Sequence, residues 1–341
     1  MTTAETAYIN QIREQLVTRR HNLETAITKH ESAQITHLLH DVDQALAKLE
    51  TGNFGVCQNC HESIEVDRVM ADPLVTFCLG CLTPAQQRSL EQDLELAARM
   101  QIGLLPPDDS AVAGWETAFH FRPARVVSGD YFDIIGDDHG GMYFIMADVA
   151  GKGVGAAMLT ASLRSVFRAL IPTADCVGEL LTRANRLFCE SAMSGQYATL
   201  VFGHVNCDGA LDVANAGHLP LLLAKGADLE VIESTDLPFG MFCSQQFTVQ
   251  RTSLQPGDTL VLYTDGISEA LNEAGEEFGV EQMREFVQSH GTKLPCEMVK
   301  NCRERLDGFR GNVERFDDET MLAIQFAPAS KLSEPRHHAV M

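Results

Sequence analysis

The stretch MADVAGKGVGAAM, Met146 to Met158, runs from an apolar segment through small residues into a helix-like pattern. Its GKGVGA satisfies the relaxed dinucleotide fingerprint G-x-G-x-x-G/A, so two readings compete. In a dinucleotide site the glycines follow the strand directly, and a second strand comes next with an acid about 20 residues on. Here Asp148 stands at the end of the apolar run, ahead of the glycines, and the next segment, Val177 to Ser191, has helical periodicity. A hard divalent cation makes better use of this pattern: the carboxylate supplies one oxygen and the unhindered backbone beside it a carbonyl. One aspartate binds weakly, so the cation reading needs partners.

Partners occur in similar settings. Ser128-Gly129-Asp130-Tyr131-Phe132-Asp133 reads as a turn, Thr264-Asp265-Gly266 follows the apolar run TLVLY, and Asp317-Asp318-Glu319-Thr320 precedes MLAIQF. Singly, each is ordinary turn or cap chemistry. Together they abut β-like runs in a way that points to a shared oxygen-ligand site. Arg125, five residues before Asp130, is a candidate phosphate ligand, set against the plainer reading of an exposed loop arginine.

Outward from these motifs, Met142–Met146, Ala198–Phe202, Leu219–Leu223, Thr259–Tyr263 and Thr320–Phe326 are expected strands. Helical patterns cover about 154–170, 177–192, 280–290 and 295–308. Helices clustered between strand runs, rather than strict βαβ alternation, predict a sandwich of largely antiparallel sheets. Upstream, apolar residues recur at helical spacing from Ile9 to Leu49, with a polar break at Lys29-His30-Glu31, which predicts a helical hairpin closed by Gly52. Thr83-Pro84 reads as a cap and first-turn proline opening a helix that Pro106-Pro107 stops. Within it Leu90, Leu94, Ala97, Gln101 and Leu104 follow a heptad seam with one polar position, so a homodimer through this helix is an expectation beside that of a helix packed on its own domain.

Four of ten cysteines form two CxxC pairs, Cys57/Cys60 and Cys78/Cys81, separated by 17 residues. Two such knuckles close a tetrahedron of thiolates around Zn²⁺, leaving no open position for a reacting water, so the role is structural or regulatory. The other six, Cys176, Cys189, Cys207, Cys243, Cys296 and Cys302, read as reduced thiols. The segment ALAKLETGNFGVCQNCHESIEVDRVMADPLVTFCLGC resembles the zinc finger of the DksA/TraR family, with His61 where that family usually has glycine. That family binds RNA polymerase, which makes a non-catalytic transcription regulator the alternative functional reading.

Residues 94–326 resemble the SpoIIE/RsbU branch of the metal-dependent PPM protein phosphatases. The landmarks are LAARMQIGLLPP, FRPARVVSGDYFD, MADVAGKGVGAAMLTASLRS, ANAGHLPLLL, LPFGM, LQPGDTLVLYTDGISEA and FDDETMLAIQF. The resemblance implies an α+β fold, an αββα sandwich holding two Mn²⁺ or Mg²⁺ ions. It implies Asp130 and Asp148 as shared ligands, the Val149 carbonyl as backbone ligand, Asp265 and Asp317 completing one ion's shell, and Asp133 and Asp318 as further matched positions. It implies hydrolysis of a phosphoserine or phosphothreonine protein, such as an anti-sigma-factor antagonist, by a metal-activated water, with the helices after Asp148 regulatory. The expected organisation is a hairpin (1–53), a zinc finger with one structural Zn²⁺ (54–82), a linker helix (83–107), the phosphatase domain (108–328) and a disordered tail (329–341) in which His337-His338 is solvated.

Lys plus Arg number 26 against 47 Asp plus Glu, a formal charge of −21. A surface that acidic repels phosphate backbones, which disfavours general nucleic-acid binding. No stretch approaches about 18 uninterrupted apolar residues and the first residues are polar, so a cytoplasmic, non-membrane protein is expected. No cysteine has an arginine six positions later and no G-x-x-x-x-G-K-[ST] occurs, which leaves cysteine-nucleophile phosphatase and P-loop chemistry without a motif.

Overall fold

The computed structural model describes residues 3–29, 33–106, 112, 114–174, 176–192 and 195–327. The expected tail with His337-His338 and part of the hairpin break, His30 and Glu31, lie outside them. The chain divides into two compact units, Met1–Asp93 and Leu94–Met341.

The first unit holds α1 (Thr3–Lys29), α2 (Ala33–Glu50), the short α3 (Val66–Ala71) and the start of α4 (Pro84–Ile102). Ile12 and Leu16 of α1 and Val42, Ala45 and Leu49 of α2 are buried together with Ile64, Val69, Cys57 and Cys78, so hairpin and finger share one small core. The core is small, and the four finger cysteines gather beside it, where a bound metal would tie hairpin and finger together. Thr83 caps α4 as expected: its Oγ1 accepts from the Gln86 backbone N–H at 3.3 Å, and Gln86 Oε1 accepts from the Thr83 N–H at 3.0 Å. The helix ends at Ile102, earlier than the prolines required, because the next amides fold back three residues, Leu104 to Gln101 and Leu105 to Ile102.

The second unit contains β1 (Trp115–Arg122), β2 (Asp130–Gly136), β3 (Met142–Val149), α5 (Val154–Leu170), α6 (Val177–Ser191), β4 (Ala198–Val205), β5 (Ala210–Ala216), β6 (Leu221–Lys225), β7 (Asp228–Ile232), β8 (Gln250–Ser253), β9 (Thr259–Tyr263), α7 (Asp265–Ser268), α8 (Gly279–His290), α9 (Pro295–Arg310) and β10 (Glu319–Phe326). The strands form two five-stranded sheets, β1-β10-β9-β6-β7 and β2-β3-β4-β5-β8, with every paired strand antiparallel.

Strand parity builds the layers, since successive side chains point to opposite faces. Phe132, Ile134, Phe144, Met146, Val201, Leu260, Leu262, Leu322 and Ile324 meet between the sheets. Their odd-even neighbours Tyr131, Ile145, Ala147 and Val149 face α5 and α6, while Val261, Tyr263, Met321 and Ala323 face α8 and α9. The result is the expected αββα sandwich. The segment Val154–Thr173 is long and apolar enough to cross a membrane by length and composition. In the fold Ala156, Leu159, Leu163 and Phe167 of α5 pack on the β2-β3-β4 sheet as an ordinary core helix.

Two expectations are corrected here. The stretch Ser128–Asp133 is not a turn throughout: Asp130 opens β2 and pairs with Asp148 across β3. Nor are all six scattered cysteines reduced: Cys189 of α6 and Cys243 form a disulfide, Cα–Cα 5.8 Å. Fifty-four residues separate them, and only the packing of α6 against the 237–243 loop makes them neighbours.

Candidate metal and phosphate site

The even-numbered parity that puts Phe132 and Met146 between the sheets puts Asp130 and Asp148 there too, at one end. Thr264 after β9 and Thr320 on β10 arrive from the opposite sheet, joined by a Thr264 N–H to Thr320 carbonyl bond of 3.0 Å. Both threonine hydroxyls donate to Asp130 Oδ2, Thr264 at 2.9 Å. Asp130, 3% exposed, is thereby fixed by the opposing sheet. Asp265 follows Thr264 and opens α7, and Asp317 lies three residues before Thr320. Gly266 is dictated by close approach: a Cβ there would lie 2.1 Å from the Asp318 carbonyl oxygen.

The carboxylates act on one another. Burial, then the charge of Asp148, holds Asp130 well above the usual carboxylate range. Burial, then Asp265, Asp317 and Asp318, pushes Asp148 up to about 7, and burial followed by Asp317 raises Asp265. Lys152 is the opposing cation, its Nζ donating to Asp317 Oδ2 at 2.8 Å and to the Phe316 carbonyl at 2.9 Å. A set of oxygen donors carrying uncompensated negative charge fits a hard divalent cation. Among the described residues these carboxylates do not bring three oxygens within 4.8 Å of one another, as the cysteines do with sulfur. Two ions about 3.5–4 Å apart need their ligands spread more widely than one.

Not every matched aspartate joins the group. Asp133, of opposite parity to Asp130, points to the helix side, where Arg168 of α5 grips it with Nε at 2.7 Å and Nη2 at 2.9 Å. The Ile134 N–H and Tyr131 hydroxyl occupy its remaining acceptor positions, so the expectation of Asp133 as a ligand is corrected to a structural ion pair. Asp318 lies beside the cluster but spends both oxygens on the backbone, accepting from Ala124 N–H at 2.7 Å and Gly129 N–H at 2.8 Å. It clasps the loop that delivers Asp130. The Val149 carbonyl lies where a Cβ on Gly129 would meet it at 3.1 Å, which explains the glycine. Arg125 is exposed on that same loop.

Two further residues have roles here that their sequence context does not disclose. His218 is buried and bridges the sheets. Its Nε2–H donates to the Tyr263 carbonyl at 3.1 Å, a group that only accepts, so in the neutral ring Nδ1 accepts from the Thr199 hydroxyl at 2.8 Å. Gln101, the polar seam position, is buried within its own unit. Its Nε2 donates to the Ser128 carbonyl at 2.7 Å and its Oε1 accepts from the Ser128 N–H at 2.9 Å. A spacing of four and three in α4 made it resemble a coiled-coil position, whereas its partners are 27 residues away in sequence.

In the first unit, Cys57, Cys60, Cys78 and Cys81 place their sulfurs within 4.8 Å of one another, the packing a tetrahedral Zn²⁺ site requires. The backbone N–H of Cys60, aided by those of Cys78 and Asn59, lowers the Cys57 thiol to about 6, against the effect of burial. Asn59 Nδ2 donates to Cys81 Sγ at 3.4 Å. A thiol held ready to ionise is what a metal ligand needs.

Two facing antiparallel sheets between helical layers, with acidic side chains gathered at one end, define the class: a PPM-type phosphatase domain. The chain belongs to the SpoIIE family, whose model, described as Stage II sporulation protein E, matches residues 138–327. A second model, the prokaryotic DksA/TraR C4-type zinc finger, matches residues 52–87. The chain is 27% identical to Protein IcfG of Synechocystis sp. over 68% of its own length but spans only 41% of that protein. It is 25% identical to the phosphoserine phosphatase RsbU of Bacillus subtilis, over 70% of this chain and 71% of that one. Among solved structures, the SiaA PP2C domain of Pseudomonas aeruginosa superposes with a TM-score of 0.64 at 22% identity, covering 72% of this chain and all of that one, a likeness of fold.

Proposed function

We propose that the chain is a Mn²⁺- or Mg²⁺-dependent protein serine/threonine phosphatase whose ion pair is held by Asp130, Asp148, Asp265 and Asp317 with the Val149 carbonyl. The observation that carries this reading is the meeting of carboxylates from β2, β3, α7 and the segment before β10 at one end of the sandwich, where they raise one another's affinity for protons. When bound, a pair of divalent ions offsets the repulsion between a phosphomonoester dianion and hydroxide and acidifies a water for in-line attack. The chain's own part is to fix the ligands. Thr264 and Thr320 orient Asp130 across the sheet gap, Asp318 clasps the 124–129 loop, and Lys152 holds Asp317. No side-chain nucleophile is required.

The likeness to RsbU supports a substrate among phosphorylated partner-switching proteins, such as an anti-sigma-factor antagonist. Gln101 supports control through α4, because one amide grips the backbone of Ser128, two residues before Asp130, and approaches Thr160 of α5 at 3.4 Å. In this reading the Zn²⁺-bearing finger regulates the phosphatase and does no chemistry. A truncated chain starting at Leu94 whose rate and Mn²⁺ requirement match those of the full chain would exclude such control. The rival reading, a non-catalytic regulator acting through the finger, gives the carboxylate cluster no role.

The discriminating experiment is Mn²⁺-dependent hydrolysis of p-nitrophenyl phosphate by the purified protein beside Asp265→Asn. Hydrolysis by the wild type that the variant loses supports the proposal. Equal rates would place any activity elsewhere.

A further inference from the structure

Residues 217–220 carry the chain from β5 in one sheet to β6 in the other, and His218 in this crossing is 6% exposed. Its ring spans the gap between the sheets, from the Tyr263 carbonyl at the end of β9 to the Thr199 hydroxyl at the start of β4. Both ends touch the supports of the carboxylate cluster. Thr199 is the antiparallel partner of Asp148, so the two side chains stand beside each other on one face. Tyr263 is followed directly by Thr264 and Asp265. The ring therefore joins the strand beside Asp148 to the strand that delivers Asp265, and of the charges acting on Asp148 that of Asp265 is the largest.

The ring is itself held. Asn215 Oδ1 accepts from the His218 N–H at 2.9 Å, and Asn215 Nδ2 donates to the Leu219 carbonyl at 3.0 Å. Gly217, at φ 72°, donates its N–H to Ser234 Oγ at 2.8 Å, and a Cβ there would lie 2.7 Å from Pro238 Cγ, so the turn has no room to shift. Apolar packing holds two sheets together only within the freedom of its rotamers, whereas a rigid ring bonded at both nitrogens imposes one separation. A second tie runs from Thr264 and Thr320 to Asp130 on β2. The sheet that carries Asp130 and Asp148 is thus pinned to the other at two points, one for each carboxylate.

We propose that His218 is a positioning residue of this site: it sets the separation of Asp148 from Asp265, and with it the closeness at which two divalent ions bind. The inference rests on the phosphatase reading above and deepens it. Paired ions tolerate little error in the placing of ligands that come from two different sheets. A neutral imidazole, kept uncharged by its burial, adds no charge of its own to the cluster it spaces.

The test uses the full-length protein with Mn²⁺ alone as the probe. Calorimetry reports the number and affinity of bound ions, and electron paramagnetic resonance separates a spin-coupled Mn²⁺ pair from isolated ions. A wild type that binds no such pair overturns the phosphatase reading itself, before any variant is compared. His218→Leu, close in volume but able to make neither bond, is expected to weaken the more loosely held ion about tenfold and to lose most of the spin coupling. Its kcat for p-nitrophenyl phosphate should fall about tenfold, with KM within about threefold of wild type. His218→Gln, which keeps a donor and an acceptor, is expected to recover most of the affinity and the coupling. Thr199→Val deletes one hydroxyl and carries the test even where His218→Leu does not fold; it should weaken the same ion at least about threefold. Affinity and coupling unchanged in Thr199→Val, or a His218→Leu protein that only melts lower, overturns the assignment, because a histidine that merely fills the core moves stability and not the ion pair.

Discussion

Asp130 and Asp133, three residues apart on β2, face opposite sides of the same sheet: Asp130 meets Thr264 and Thr320 between the sheets, and Asp133 meets Arg168 under α5. The two carboxylates therefore answer differently to the same substitution. Asp130→Asn removes a buried like charge and keeps the hydrogen-bonding shape, so the metal-free protein should melt no lower while Mn²⁺-dependent hydrolysis falls at least about a hundredfold. Asp133→Asn leaves Arg168 without its ion partner and should cost about 1–3 kcal/mol of stability, less than the roughly 3–5 kcal/mol of a fully buried pair because the guanidinium that remains is 38% exposed and solvent screens it. Its activity, assayed well below the melting temperature, should stay within a few fold. Thermal melts paired with activity assays separate the two, and loss of Mn²⁺ dependence in Asp133→Asn would return it to the ligand set.

That contrast also marks how far the chain could be read. Each apolar strand run named from the sequence became a strand, because a fully buried strand is recognisable from composition alone. β1 (WETAFHFR), β5 (ALDVANA), β7 (DLEVI) and β8 (QRTS) carry no such uniform apolar run and are not among the expected strands, since their facing surfaces exist only once the sheets assemble. Asp148, Asp265 and Asp317 were legible because each adjoins a long apolar run. Asp130 sits in a stretch that reads as a turn, which has no side-chain parity to count, so the sequence alone groups Asp133 with it. His218 gives no local signal, because what distinguishes it is a bridge between sheets, and Gln101 gives a misleading one, because its seam spacing conceals a partner backbone 27 residues away. The Cys189–Cys243 pairing was likewise hidden in tertiary proximity.

The zinc knuckle carries a measurable flaw. His61, following Cys60, has φ 59°, the left-handed region that costs a residue with a Cβ about 1 kcal/mol more than glycine. Its N–H donates to the Cys57 carbonyl at 3.0 Å, so the conformation is part of the knuckle and not an accident of a loop. Because metal binding and folding of such a module are one equilibrium, His61→Gly should tighten Zn²⁺ by about fivefold in competition with a chromogenic chelator. Unchanged or weaker retention would mean that the imidazole contributes something that offsets the strain.

The disulfide predicts a difference between oxidised and reduced protein. Cys189 and Cys243 enclose a loop of 54 residues, for which the chain-entropy account gives about 4 kcal/mol of stabilisation. Asn185 already holds the same loop, donating to the Phe242 carbonyl at 2.8 Å and accepting from Gly240 N–H at 2.7 Å, so the reduced protein should keep the fold. Non-reducing peptide mapping should recover the two cysteines in one linked pair, and a reductant should lower the urea midpoint of the wild type but not of Cys189→Ser. Alkylation of both thiols in the native protein purified without reductant would contradict the pairing.

His218 sets a pH dependence of defined sign. Burial lowers its pKa to about 4 from an ordinary value of 6.5, the bond to the Tyr263 carbonyl opposing only in part. The unfolded chain therefore binds a proton in this window that the folded chain refuses, and stability must fall as pH drops from about 6.5 toward 4, by up to about 3 kcal/mol from this group. Asp130, Asp148 and Asp265, whose folded pKa values are raised, contribute with the opposite sign: they favour the folded state at low pH and lose that contribution as pH rises. Wild type alone would show only the sum. His218→Gln removes the titrating ring and leaves the carboxylates in place, so the difference between the two proteins isolates the histidine. Urea unfolding of metal-free protein at about pH 7 and about pH 4.5 should show the wild type losing more stability than the variant across that interval. Equal losses would mean that the ring takes up its proton in the folded state as readily as in the unfolded one, against the cost of burying that charge between the sheets.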